Sequence, residues 1–141
     1  MTAAGPSVAP VRELVVRVVA MPRDTNPAGD MFGGWILSQM DLAAYLHSRK
    51  LSAHRVVTVA IDNIVFLRPV YVGDCLVCYA TTERIGRTSI TVKIEALVER
   101  AAGHAEEKVT EGRFVFVAIG PDRQPVPLLA DPSPGGGGPP A

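Results

Sequence analysis

Cysteine, aromatic residues and an excess of charge of either sign are scarce or missing in this 141-residue sequence. The two cysteines, Cys75 and Cys78, lie three residues apart in a segment with strand character, so their side chains point to opposite faces and cannot easily form a disulfide. A reducing compartment is therefore expected. Basic and acidic residues number 14 each, which leaves no basic surface for nucleic acid, so a few placed side chains must hold any anionic ligand.

Long apolar runs are also missing. No uninterrupted apolar stretch approaches the ~20 residues needed to span a bilayer, and residues 1–10 lack the basic start, apolar centre and cleavage site of a secretory signal. We therefore expect a cytoplasmic protein without a membrane partner. Residues 1–10 and 125–141 are rich in small residues and proline and cannot bury enough apolar area to offset the entropy of ordering. Both ends are predicted to be disordered or loosely attached, which leaves one domain over residues 11–124.

The hydrophobic pattern predicts one helix and five strands. β-Branched residues with period two or in short continuous runs indicate strands, and apolar residues at helical spacing indicate the helix. The predicted order is a strand over 11–21, a loop over 22–34, a helix over 35–51 and strands over 55–67, 75–85, 89–99 and 108–119. This is an α+β architecture whose last three strands form an antiparallel meander.

The predicted sheet has more surface than one helix can cover. Apolar strand residues and an open sheet edge would remain exposed in a monomer and would favour aggregation. We therefore expect two copies to dimerise and join their sheets edge to edge into one continuous sheet.

The first chemical signal is the pair Gly33–Gly34 at the predicted start of the helix. Glycine costs roughly 1 kcal/mol relative to alanine in a helix interior, so the pair needs another explanation. Without side chains, the free N–H groups of the first turn are open to a carbonyl oxygen that gains negative charge, as in an oxyanion hole. The alternative is that both glycines only permit close packing on the sheet or a sharp turn. Asp30, just before them, is predicted to be the N-cap of the helix.

The second signal is Asp41, a carboxylate between apolar and small residues of the helix. Its burial is costly unless it is satisfied, so it is either catalytic or a structural acid bonded to backbone or to a nearby hydroxyl. Asp41 follows Gly34 by seven residues, on nearly the same face but roughly 10 Å further along the axis. One chain cannot aim both groups at one carbonyl, whereas two antiparallel helices in a dimer can.

Four separated motifs carry a resemblance to a known family. They are N-P-A-G-D-M-F-G-G-W-I-L-S-Q-M-D at 26–41, R-V-V-T-V-A at 55–60, F-L-R-P-V-Y-V-G-D at 66–74 and I-G-R-T-S-I at 85–90. In this order they resemble the YciA-like acyl-CoA thioesterases, relatives of the brain acyl-CoA hydrolases, over residues 11–120. The resemblance implies a hotdog fold, in which a five-stranded antiparallel sheet wraps a long helix, and an obligate dimer that commonly forms a trimer of dimers. The implied activity is hydrolysis of acyl-CoA to free fatty acid and coenzyme A.

The resemblance also implies catalytic roles. Asp41 matches the helix aspartate that acts as general base or nucleophile. Asn26 matches the loop asparagine that orients the water or the thioester from the other chain, and the amides of Gly33 and Gly34 polarise the carbonyl. Tyr45 lies four residues beyond Asp41 on the same face, where the family often has a small residue. Its ring would shorten or reshape the acyl channel, which leaves the chain-length preference open.

A second set of residues is implied to hold the coenzyme A portion of the substrate. The turn that matches this segment of the family consists of Gly86, Arg87, Thr88 and Ser89. Thr88 stands where the family commonly has serine and keeps the hydroxyl. The guanidinium of Arg87 suits a phosphate of coenzyme A, and the alternative is a solvated hairpin charge. Arg68 and Arg55 are weaker candidates for the same contact.

Other catalytic arrangements have little support in the residues. A thioester carbonyl is electrophilic and a thiolate leaves readily, so one carboxylate base and N–H donors suffice without a Ser-His-Asp triad. The three histidines, His47, His54 and His104, are predicted to be surface residues, and no cluster of ligands indicates a metal. We expect no cofactor, since coenzyme A is part of the substrate.

Two other functions are weighed against hydrolysis. A hotdog-fold acyl-CoA hydratase or dehydratase relies on an acid with a nearby histidine, and the helix offers only His47, at a wide angular offset from Asp41. A non-catalytic acyl-CoA-binding module would keep the fold without turnover. The combination of Asn26, Gly33, Gly34 and Asp41 argues against that reading.

Overall fold

The structure is a computed structural model that describes residues 11–103 and 105–129. Within these residues the strands are β1 (Glu13–Val19), β2 (Arg55–Asp62), β3 (Cys75–Ile85), β4 (Ser89–Glu99) and β5 (Glu106–Ile119), and the helix is α1 (Gly33–Ser48). Two short 3-10 turns lie at Pro22–Asp24 and Arg49–Leu51. All strands join one antiparallel sheet in the order β1-β3-β4-β5-β2. The predicted α+β fold, with one long helix and a five-stranded antiparallel sheet, is confirmed.

The sheet has one face toward α1 and one face toward solvent. Along β4 the side chains alternate strictly between buried and half-buried, as the period-two pattern of this segment predicts. The buried face of α1 is formed by Ile36, Met40, Ala43, Ala44 and Ser48. These residues recur at helical spacing and pack with the inner face of the sheet into one core.

Only β3 and β4 have the bounds that were predicted. β1 is shorter at both ends than the predicted 11–21, α1 ends at Ser48 instead of 51, and β5 begins at Glu106 instead of 108.

Two further differences bear on the site. The helix begins at Gly33, two residues earlier than expected, so both glycines lie inside its first turn. The second strand ends at Asp62 instead of residue 67, because Asn63 adopts a left-handed φ of 63° that ends the extended backbone. The chain then crosses β5 closely, since a methyl group at Gly112 would collide with Ile64. Glycine at 112 therefore allows this close approach without a shift of the Ile64 side chain.

The two cysteines are free and differ in their surroundings. Cys78 is fully buried in the core, whereas Cys75 is partly exposed at the start of β3. Burial raises the pKa of Cys78 to about 12, because the thiolate would have to lose its solvation.

Residues 120–129, which we name the C-terminal strap, fold back onto the domain. The Val126 amide donates to the Ala118 carbonyl at 2.9 Å, and Leu128 is only 3% exposed. The predicted boundary at residue 124 therefore falls inside a packed segment, and residues 125–128 belong with the domain. Residues 130–141 of the predicted tail and residues 1–10 lie outside the described residues. Among the described residues, no helix has the length and apolar character required to cross a membrane.

Candidate active site

Asp41 lies near the middle of α1 with its carboxylate half-buried. Its Oδ1 accepts a hydrogen bond of 2.7 Å from the hydroxyl of Thr58 on β2. Its Oδ2 has no hydrogen-bond donor among the described residues. The carboxylate is therefore fixed in orientation by one oxygen, while the second oxygen is free to accept a proton.

Thr58 was missed by the sequence reasoning, although a signal was present. It has the same parity as the buried Val56 in the motif at 55–60, so both side chains point toward α1. The ladder to β5 shifts register between Thr58 and Ala60. Such irregularities re-aim side chains and are frequent beside active sites.

Two amides at the start of α1 lack acceptors. The N-cap is Phe32, whose side chain makes no capping bond, and the N–H groups of Trp35 and Ile36 reach its carbonyl at 3.0 and 3.3 Å. Within the described part of the chain, the N–H groups of Gly33 and Gly34 donate to no oxygen. These two donors are what a carbonyl oxygen needs as it gains negative charge.

The prediction that Asp30 caps the helix is wrong. The backbone of Asp30 forms an isolated bridge with Tyr71, and Asp30 lies two residues before the actual N-cap, Phe32, so it does not occupy the capping position. The Asp30 amide donates to Asn26 Oδ1 at 3.1 Å instead. No side chain therefore caps the first turn, and the Gly34 amide, which an N-cap side chain could have bonded, has no acceptor among the described residues.

The two glycines differ in what surrounds them. A methyl group at Gly33 would lie 3.1 Å from the ring of Phe66, so close packing accounts for this glycine. A methyl group at Gly34 would meet no described atom within 4 Å. Packing in one protomer therefore leaves Gly34 unexplained, and the open space beside it is available to a ligand or a second copy.

Asn26 organises the loop that leads into α1. Its Oδ1 accepts bonds from the amides of Ala28 (2.9 Å) and Asp30 (3.1 Å), and its carbonyl accepts one from Gly29 at 3.0 Å. Gly29 has a φ of +96°, which glycine adopts without strain. The side-chain amide of Asn26 donates to no described atom, so it remains free to donate to a ligand.

One protomer does not bring all the predicted catalytic groups together. Along α1, Asp41 lies roughly 10 Å beyond Gly34, because each residue advances the helix by about 1.5 Å. The carboxylate and the free amides therefore point at different places of the same chain. Within one protomer, the predicted catalytic groups therefore remain apart.

The predicted coenzyme A residues lie at two ends of the sheet. The turn between β3 and β4 is closed by a 2.8 Å bond from the Gly86 amide to the Ser89 carbonyl, and Arg87 is exposed at its tip. Arg68 lies at the opposite end, where its Nη1 donates to the Lys108 carbonyl at 2.8 Å. Within one copy the structure does not bring Arg68 to the turn.

The prediction that His47 is a surface residue is wrong. Its side chain is 11% exposed, with Nδ1 2.6 Å from Glu13 Oε1 and Nε2 2.6 Å from Thr82 Oγ1. Lys50 bonds the other oxygen of Glu13 at 2.5 Å. These contacts tie the end of α1 to β1 and β3. The hydrogen bond from Lys50, followed by that from His47, lowers the pKa of Glu13.

His54 and His104 are the other two histidines of the chain. His54 is half-buried, and His104 lies outside the described residues. In residues 11–103 and 105–129, no three side chains of the His, Cys, Asp or Glu type come together as a metal site.

The chain is similar in sequence and structure to known thioesterases. Residues 28–105 match the Thioesterase superfamily. The acyl-CoA thioester hydrolase YciA of Salmonella typhimurium is 46% identical over 84% of this chain and 92% of its own. The hexameric thioesterase y2039 from Yersinia pestis is 44% identical, with a TM-score of 0.78 over 82% of this chain and 94% of its own. The hexameric hotdog fold thioesterase Cj0915 of Campylobacter jejuni is 43% identical, with a TM-score of 0.76 over 82% of this chain and 90% of its own.

Proposed function

The chain belongs to the thioesterase superfamily, and from this premise we propose that it hydrolyses acyl-CoA with Asp41 of one copy and the Gly33 and Gly34 amides of a second copy. The products are a free carboxylic acid and coenzyme A. The observation that carries the proposal is the half-buried Asp41 carboxylate, whose Oδ1 is held by Thr58 while Oδ2 has no described partner.

Asp41 acts as a general base in the proposed reaction. Its Oδ2 takes a proton from a water molecule as the water oxygen attacks the thioester carbonyl carbon. The carbonyl oxygen becomes an oxyanion and accepts hydrogen bonds from the Gly33 and Gly34 amides. The tetrahedral intermediate then collapses, the C–S bond breaks, and coenzyme A leaves as a thiolate that takes up a proton. No step requires a metal or a cofactor.

The alternative to a general base is that Asp41 acts as a nucleophile. In the second case a carboxylate oxygen of Asp41 attacks the carbonyl carbon and forms an anhydride, which water then hydrolyses. A single turnover in water enriched in oxygen-18 separates them. Unlabelled first product, with the label on Asp41, supports the nucleophile, because water has then attacked the Asp41 carbonyl of the anhydride. Labelled first product supports the base if hydroxylamine traps no acyl hydroxamate, since attack of water on the acyl carbon of an anhydride would also label the acid.

Self-association completes the proposed site. The edge strand β2 exposes apolar side chains, including Val59 at 55%, and the outer face of α1 exposes Leu42 and Tyr45. Tyr45 follows Asp41 by about one helical turn, and Val59 is the neighbour of Thr58 in β2. We place the dimer contact here, because it covers this apolar surface and sets two antiparallel helices face to face. Further assembly into a trimer of dimers accords with the hexameric structures named above.

Coenzyme A is proposed to lie along the turn Gly86–Ser89. Arg87 forms no ion pair with a described residue, so its guanidinium is available to a phosphate. Asn26 is proposed to orient the water or the thioester through its free side-chain amide. A cytoplasmic location stays a prediction from the sequence.

Release of free thiol from a panel of acyl-CoAs tests the function. Thiol release with stoichiometric free acid supports hydrolysis. Consumption of an enoyl-CoA or a hydroxyacyl-CoA without thiol release would instead indicate the hydratase or dehydratase. Binding of acyl-CoA without any turnover would indicate the non-catalytic module. The same panel defines the chain-length preference.

A further inference from the structure

A cavity of about 680 Å³ lies at the end of α1 opposite Gly33 and Gly34. Three segments form its walls: residues 50–53 after the helix, residues 85–87 of the turn between β3 and β4, and residues 127–129 of the C-terminal strap. The cavity is thus open beside the turn that the proposed function assigns to coenzyme A. The strap is a wall that the sequence motifs did not include.

The lining of this cavity combines apolar walls with two cations. Leu51, Ile85 and Leu128 supply apolar surface, while Lys50 and Arg87 supply positive charge. No acidic side chain is among its lining residues in the described part of the chain. Lys50 pairs with Glu13, which leaves Arg87 as the cation without a described partner. Such a lining suits a ligand that carries both phosphate and apolar surface.

Leu128 connects two of the walls to each other. Its amide donates to the Arg87 carbonyl at 3.0 Å, and its own carbonyl accepts bonds from the Ala53 amide at 2.6 Å and the Ser52 hydroxyl at 3.2 Å. Its side chain is packed into the core. The position of the Arg87 turn relative to the end of the helix is therefore set through one residue of the strap.

We propose that Leu128 is a positioning residue for coenzyme A, holding the Arg87 turn so that the cavity accepts the phosphate-bearing end of the substrate. The inference rests on the proposed function. Lys50 follows Asp41 by nine residues, or roughly 14 Å along the helix, so a substrate must be long to use the cavity and the carboxylate of one protomer together. Acyl-CoA has this length, whereas a short thioester does not.

Comparison of two substrates tests the proposal. Leu128→Ala removes the packed side chain, and we expect KM for acyl-CoA to rise roughly tenfold while kcat changes little. The matching acyl thioester of N-acetylcysteamine lacks the nucleotide, so the substitution should alter its turnover far less. An equal effect on both substrates would overturn the proposal, because a merely structural role does not distinguish them.

Val109→Ala is the matched control. Val109 is fully buried in β5, near the end of the sheet opposite the Arg87 turn. Its truncation should lower the melting temperature without changing KM for acyl-CoA. An equal rise of KM in this variant would mean that general destabilisation causes the effect, which contradicts the proposal.

Coupling to Arg87 gives a second readout. If Leu128 acts through the turn, the KM changes of Leu128→Ala and Arg87→Ala are less than additive in the double variant, and full additivity would exclude that route. Should Leu128→Ala fail to fold, Ser52→Ala removes one donor to the Leu128 carbonyl and must itself raise KM for acyl-CoA alone. A wild-type chain inactive on both substrates refutes the proposed function, whereas activity with no selective KM change refutes only this inference.

Discussion

The hydroxyl of Thr58 donates to Oδ1 of Asp41 across 2.7 Å, joining the middle of the helix to the edge strand of the sheet. A hydrogen bond to a charged acceptor is worth about 1.5–3 kcal/mol and fixes direction as well as charge. The pair also leaves a structural explanation for Asp41 open, since a nearby hydroxyl satisfies a buried acid. Variants of both residues separate the two explanations.

Asp41→Asn should abolish most turnover while the chain stays folded. The Thr58 hydroxyl can still donate to the amide oxygen, but the amide cannot take a proton from water, so we expect kcat to fall by about 10²- to 10⁴-fold. Thiol release and the melting temperature are measured together. Asp62→Asn, at an exposed acid that ends β2, is the control and should retain activity. Near-normal turnover of Asp41→Asn would leave Asp41 with a structural role only.

Thr58→Val should lower kcat by about 10- to 100-fold, the range that corresponds to a lost hydrogen bond to a charged group. Valine keeps the shape of threonine and removes only the hydroxyl. Thr58→Ser restores the donor and should recover most of the activity. Equal activity of the valine and serine variants would show that the hydroxyl does not support catalysis.

Gly34→Ala should keep the fold and lose activity. The added methyl group meets no described atom within 4 Å in one protomer and favours the helix, so the melting temperature should not fall. It would fill the space through which the thioester carbonyl reaches the free amides. Gly103→Ala also adds a methyl group in open space and is the control. Matching turnover in both variants would remove the proposed oxyanion site.

The network of Glu13 makes stability depend on pH. Its pKa is lowered by Lys50 and then His47, so the stabilisation is fully present above the ordinary pKa of glutamate and is lost as the pH falls through the lowered value. Urea unfolding should show wild type more stable than Glu13→Gln at neutral pH. The advantage should shrink as the pH falls below the ordinary pKa of glutamate and disappear once Glu13 is protonated in the folded chain. A difference that is independent of pH would contradict the network.

The two cysteines should react differently with thiol reagents. The pKa of Cys78 is raised to about 12 by burial, and only the thiolate is nucleophilic, so Cys78 should stay unmodified in the folded chain. Cys75 is partly exposed and should react first. Intact-mass analysis of the labelled chain measures this, and Cys75→Ser should prevent native labelling. The same variant removes the background of a thiol-release assay.

Regular patterns made much of the fold predictable. The bounds of β3 and β4 match the predicted ranges, because period-two alternation between short turns defines a strand locally. The early end of β2 was missed, since the left-handed Asn63 and the crossing over Gly112 depend on distant packing. Leu128 was assigned to a tail for a similar reason. The composition of residues 125–141 indicates a loose tail. The hydrogen bond from the Leu128 amide to the Arg87 carbonyl is a tertiary contact, which composition does not reveal.

The candidate site was predictable only in part. Asp41, Gly33 and Gly34 stand out because carboxylates and paired glycines are costly within a helix. Thr58 and His47 do not stand out, since a hydroxyl in a strand and a histidine near a helix end fit an ordinary surface. Their significance lies in contacts across elements, with Asp41 in one case and Glu13 in the other. Local sequence does not show which residues of other elements these side chains will contact.

The strand order β1-β3-β4-β5-β2 has a consequence for how the chain folds. Neighbours β3, β4 and β5 follow one another in the chain, whereas the paired residues of β2 and β5 lie 51 positions apart at Asp62–Arg113 and 64 at Arg55–Ile119. Closing a long loop is slower, so we expect the meander to form first and β2 to dock late. Thr58 lies on this late strand, so we expect its hydroxyl to be held in line with the Asp41 carboxylate only once β2 has docked. The alignment of the carboxylate would then depend on the last strand to join the sheet.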